Sequence, residues 1–131
     1  MQLSKFTDYA FRALIYLGRN TESNTTIDEL AEELKISEHH LKKIINKLAK
    51  TEYIISVKGR NGGLKLGLAP EKISLGDILM ITEENLNIVE CMSRPENCTL
   101  MSNGCQLKCI ISQSLNKFIE EMSKYTLRDI L

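Results

Sequence analysis

"TIDELAEELKISEHHLKKIINKLAK", residues 26–50, is the stretch that decides the fold. Thr26 precedes Glu29 by three residues, the capping-box pattern in which a hydroxyl and a carboxylate each satisfy a free amide at a helix start. Ile27, Leu30, Ala31 and Leu34 then give a short amphipathic helix. After a turn at Lys35 and Ile36, Ser37 is placed to cap a second helix. Its Leu41, Ile44, Ile45 and Leu48 share one side at about 100° per residue. His39, Lys42, Lys43, Asn46 and Lys50 share the other. Two helices joined by so short a turn, the second with a basic outer face, form the pattern of a helix-turn-helix.

The flanking sequence extends that pattern. "YIISVKG", residues 53–59, reads as a strand, "RNGG" as a turn needing positive φ, and "LKLGL" as a returning strand with Leu64, Leu66 and Leu68 alternating. A hairpin with Lys58, Arg60 and Asn61 at its tip, placed after the second helix, is the order of a winged helix-turn-helix. Upstream, Phe6, Tyr9, Ala10, Ala13, Leu14 and Leu17 recur at three and four, and Ser4 or Thr7 is available to cap that helix. Downstream, Pro70 ends the wing and Ser74 opens a short supporting helix, "SLGDILMIT". In the last segment Leu107, Ile111, Leu115, Phe118, Met122 and Tyr125 form a stripe too long for one small domain to cover, which predicts contacts with a second subunit. The expected fold is mainly α with a small β-hairpin wing. Residues 1–82 form the winged helix-turn-helix, and residues 83–131 form a cysteine loop and a long dimerisation helix.

Charge sharpens the functional expectation. The 131 residues hold 17 basic and 17 acidic side chains, so the formal net charge is zero. Between residues 37 and 65, however, seven lysines and arginines face only two glutamates, while both flanks are acidic. A basic centre is a footprint for a polyanion. Side chains at the start of a recognition helix reach base edges, a role that suits Ser37, His39, His40 and Lys43. Lys42, Asn46, Lys47 and Lys50 suit phosphates, and Arg60 suits a minor groove. Adjacent histidines diverge by about 100° on a helix, so His39 and His40 read as polar contacts rather than as metal ligands. No catalytic triad, phosphate loop or flavin fingerprint is present, so an enzyme or electron carrier is not expected. No apolar run approaches the roughly 18 residues of a membrane span, and no secretory signal pattern opens the chain. A cytoplasmic protein is the expectation.

All four cysteines lie in "CMSRPENCTLMSNGCQLKC", spaced C-x6-C-x6-C-x3-C from Cys91 to Cys109. A reducing compartment disfavours permanent disulfides. The spacing lacks both the paired knuckles of structural zinc and a C-x-x-C redox motif. Iron–sulfur clusters are held by cysteines at varied spacings, which leaves a cluster and a thiol switch as competing readings. Inert burial suits Cys109, beside Leu107, Ile110 and Ile111, better than the other three.

"MQLSKFTDYAFRALIYL", "HHLKKIINKLAK", "GRNGGLKLG", "LNIVEC" and "YTLRDIL" together resemble the bacterial iron–sulfur winged-helix regulators often called the Rrf-two family, along the whole chain. Within that family they are most similar to the nitric-oxide-sensitive repressors. The resemblance implies a homodimer on a palindromic double-stranded operator, with nitric oxide as effector. It also implies an iron–sulfur cluster, 2Fe–2S or 4Fe–4S, held in each subunit by Cys91, Cys98 and Cys105. In some similar proteins an aspartate in "FTDY" of the opposite subunit is the fourth ligand, which here is Asp8. The histidine that completes the cluster in the iron–sulfur biogenesis branch is matched by Lys108. Cys109 is an extra thiol, an alternative fourth ligand or a redox partner. A cluster-free thiol/disulfide regulator is the alternative function.

Overall fold

A computed structural model of the chain describes residues 1–100 and 104–131. Helix α1, Lys5–Arg19, starts at Ser4, whose hydroxyl oxygen accepts from the Thr7 amide. Its stripe of Ala10, Ala13, Leu14 and Leu17 is wholly buried. Helix α2, Ile27–Leu34, has both halves of the Thr26–Glu29 capping box. It stops where Lys35 adopts a left-handed conformation, φ 54°. That single reversal lets Ile36 drop into the core and sets Ser37 to cap helix α3, Glu38–Leu48, through the His40 amide.

Strands β1, Ile54–Val57, and β2, Gly63–Leu66, pair antiparallel with Ile54 opposite Leu66 and Val57 opposite Gly63. The wing has a third contributor that local patterning did not reveal. Thr25 and Leu64 exchange backbone hydrogen bonds of 3.0 and 2.7 Å, and the Asn24 side-chain amide donates to the Asn61 carbonyl at 2.8 Å. The hairpin is thereby anchored to the connector before α2. Gly63 makes this approach possible: its φ is +149°, and an added Cβ would press on the Thr25 carbonyl oxygen at 2.9 Å.

Helix α4, Leu75–Thr82, is capped by Ser74 and packs on α1. Short helix α5, Glu90–Ser93, and a 3-10 turn at Pro95–Asn97 follow in the cysteine segment, then helix α6, Gln106–Met122. The apolar stripe predicts helix as far as Tyr125, but α6 ends at Met122. The reason is tertiary. Thr126 and Asp129 form a second capping box that starts a 3-10 turn, Leu127–Ile130, and Thr126 bridges to Ser74. Leu127 is wholly buried in the core with Leu14, Ile73 and Ile78. Residues 83–131, expected as a second unit, therefore contribute their last turn to the core of the first. No described helix is long and apolar enough to cross a membrane.

Candidate nucleic-acid interface and cysteine segment

The α3 core residues Leu41, Ile44, Ile45 and Leu48 are buried, which fixes the helix rotation and turns His39, Lys42, Lys43, Asn46 and Lys50 outward. Ser37, His39 and His40 are exposed at its start. Lys42 pairs with Glu38 one turn earlier at 3.4 Å, a solvent-screened contact. Among the described residues, Lys43, Lys50, Lys58 and Arg60 have no carboxylate within ion-pair reach. Lys58, Arg60 and Asn61 are exposed at the hairpin tip, where Gly59 takes φ +110°. The structure thus brings a basic helix face and a basic, thin loop onto a single folded body.

Two residues of the face lie beside side chains of α1. The His40 ring lies 6.4 Å from that of Tyr9. Lys47, seven positions on and so on the same edge of α3, is half-buried. Its ammonium sits 5.5 Å from the centre of the Phe6 ring and 3.6 Å from Glu84. Lys47 is turned towards its own chain rather than outward.

In the cysteine segment, Cys91 and Cys98 line one cavity of about 220 Å³ together with Val89, Glu90, Arg94 and Asn97. The loop between them is built by its own hydrogen bonds. Asn97 donates to the Glu90 carboxylate at 3.0 Å, and the Cys98 amide donates to the Pro95 carbonyl at 3.2 Å. Cys105 occupies the N-cap position of α6, where its side chain makes no capping hydrogen bond. Cys109 lies one turn on, exposed, with Gln113 donating to its sulfur at 3.4 Å. Cys91, Cys98 and Cys105 are half-buried. Among the described residues no three histidine, cysteine or carboxylate side chains converge into a complete metal site. The donor set nevertheless fits an iron–sulfur group: three thiols, two already facing a shared cavity, with a cationic Arg94 beside them. Arg94 was not singled out from sequence, because nothing in its local spacing marks it.

Asp8 stands on the outer side of α1. Arg12 grips it with both arms, Nε to Oδ1 at 3.1 Å and an Nη to Oδ2 at 2.9 Å, and lies 5.8 Å from the centre of the Tyr9 ring. The carboxylate holds the guanidinium proton more firmly than usual. This partner was readable as an i,i+4 pair, but only the structure shows it engaged.

The basic recognition helix, the anchored wing and the thiol-bearing segment define a winged-helix regulator with an appended cysteine module. Residues 3–131 match the family described as Rrf2, iron-dependent transcriptional regulator. The chain belongs to the Rrf2 family: it is a transcription regulator with a DNA-binding fold, and not an enzyme. It is 38% identical over 132 residues to the HTH-type transcriptional regulator NsrR of Bacillus licheniformis, covering 100% of this chain and 92% of that protein. To NsrR of Geobacillus kaustophilus it is 40% identical over 132 residues, covering 100% and 90%. Among solved structures, T. potens IscR superposes with a TM-score of 0.79 at 24% identity, over 99% of this chain and 85% of that one. CymR, the global cysteine regulator of B. subtilis, gives 0.77 at 23%, over 99% and 95%. At those identities the two structures speak for the fold alone.

Proposed function

We propose that this protein is a transcriptional repressor whose hold on a palindromic operator is gated by an iron–sulfur cluster, and that nitric oxide is its effector. The observation that carries the reading is that Cys91 and Cys98 line one open hollow, followed by Cys105 at the head of α6. The names of the full-length relatives and the iron dependence ascribed to the family support it. When bound, the cluster supplies iron centres that react with small diatomic molecules.

The chain's own residues account for the rest. Cys91, Cys98 and Cys105 hold the segment in one arrangement, with Arg94 offsetting thiolate charge. The α6 helix has no buried residue, and Leu107, Ile110 and Phe118 are exposed, so it supports a homodimer in which two copies cover each other's apolar side. Such a dimer sets two α3 helices and two wings on successive half-sites. Ser37, His39, His40 and Lys43 read bases there. Lys42, Asn46 and Lys50 meet phosphates, and Lys58, Arg60 and Asn61 follow the adjoining groove. Lys47 joins them only if it leaves Glu84. Asp8 would supply the fourth ligand across the dimer in place of its pairing with Arg12, which would tie the held segment to α1.

The test is protein purified without oxygen, with iron and sulfide counted and operator binding followed by gel shift. The expected result is iron and sulfide in every subunit and an affinity of order 100-fold higher with the cluster than without it. Nitric oxide should abolish that difference. Colourless, iron-free protein, or equal binding by both forms, would overturn the reading. Iron-free protein whose operator binding responds to oxidants would favour a thiol regulator instead, and the exposure of Cys109 is the observation on that side.

A further inference from the structure

Glu83 directly follows α4 and marks where the cysteine segment leaves the winged body. Its Oε2 accepts three hydrogen bonds from the start of α1: from the Ser4 amide at 3.1 Å, the Ser4 hydroxyl at 3.1 Å and the Thr7 hydroxyl at 2.6 Å. Thr7 is wholly buried, so water cannot replace that last bond, and the acceptor is a carboxylate. The next residue, Glu84, faces Lys47 of α3 at 3.6 Å, and Lys47 in turn sits over Phe6. Glu84 is largely exposed, which makes its contact the weaker of the two. Two consecutive carboxylates thus meet the helix that carries Asp8 and the helix that reads the operator.

Local helix chemistry does not explain them. A helix C-terminus bears partial negative charge, so Glu83 and Glu84 are unfavourable just past α4. The same Glu83 carboxylate is favourable at the N-terminus of α1, where free amides and partial positive charge gather. Its place is set by the tertiary contact.

We propose that Glu83 is a positioning residue, the joint through which the state of the cysteine segment reaches α1 and, by way of Phe6 and Lys47, the recognition helix. The inference rests on the cluster-gated reading above and extends it: the coupling runs within one chain, apart from the Asp8 tether between subunits. It requires that the joint be loaded differently when the segment is held and when it is released.

Two variants of the full chain test it. Glu83→Gln keeps the shape and removes the charge; Thr7→Val removes the buried donor at nearly the same volume. In metal-free protein, amide hydrogen exchange is read at residues 4–8 and along α3, with an expected acceleration of about fivefold or more at both places. In cluster-loaded protein prepared without oxygen, iron and sulfide content should equal wild type. The ratio of operator affinities, loaded over metal-free, should fall by roughly fivefold or more. Unchanged exchange along α3 in both variants overturns the proposal, and so, where wild type itself binds more tightly with iron, does an unchanged affinity ratio with intact iron content. Should Glu83→Gln fail to fold, Thr7→Val decides alone. If α3 exchange responds while wild-type protein binds its operator equally with and without iron, the joint stands and the gating reading is what fails.

Discussion

The winged body and the cysteine segment are built to different standards of self-sufficiency. In the body, all four α-helices begin on a hydroxyl that accepts a backbone amide: Ser4, Thr26, Ser37 and Ser74. The residues in that position for α5 and α6 are Val89 and Cys105, and neither does so. The body closes around wholly buried leucines and isoleucines, whereas the 17-residue α6 contributes no buried residue. Hydrophobic burial and satisfied helix ends are what let a small domain stand alone. The cysteine segment has less of both, and in the proposed function it is completed by an inorganic group held by three thiols and by a second copy of the chain on the exposed face of α6.

That contrast can be broken or sharpened. The largest expected effect comes from Leu127→Ala, which should cost about 2–5 kcal/mol in urea unfolding, because Leu127 belongs to the core of the body despite its place in the chain. Leu107→Ala, on α6 surface exposed in the single subunit, should change the concentration-independent part of unfolding by no more than roughly 0.5 kcal/mol, its larger effect falling on self-association. Comparable costs for the two would erase the distinction. Next, Ser37→Ala should destabilise by about 1 kcal/mol through loss of the α3 cap, while Cys105→Ala in metal-free protein should stay within a few tenths. Thermal unfolding of both variants checks this.

The smallest effect concerns Arg128, which ties the C-terminal turn to Glu71 at 2.8 Å. The Glu71 carboxyl is held below the usual range by its own backbone hydrogen bond and by Arg128. A group depressed in the folded state adds stability above its unfolded pKa and loses it as pH falls through the folded value. Wild type should therefore lose a slight increment on acidification below the ordinary carboxylate range that Arg128→Ala lacks. Both side chains are exposed, so the difference is small. Superimposable acid-unfolding curves would show that this surface tie contributes nothing.

How much was legible follows from range. The capping serines and threonine, the 3.6-residue stripes of α1 to α3, the Lys35–Ile36 turn and the glycine-rich turn of the hairpin are local. Each is decided by residues a few positions apart, and the helix starts stand where the pattern put them, while the strands, read over 53–59 and 64–68, are shorter at Ile54–Val57 and Gly63–Leu66. The outward set of α3 was likewise implied by what had to point inward. The cysteines announced chemistry by their crowding, but spacing alone carries no direction, and only the fold shows Cys91 and Cys98 on one cavity and Cys109 out in solvent.

The amino-acid sequence by itself determined the helices, the wing and the inventory of thiols and cations, because backbone propensity and amphipathic period act over a few residues. The tertiary structure alone decided that Thr25 joins the wing, that Leu127 returns to the core, that Lys47 pairs with Glu84 and that Glu83 clasps the start of α1. Those contacts join residues tens to more than a hundred positions apart. Their partners are chosen by which surfaces meet when the core closes, and no local pattern records that choice.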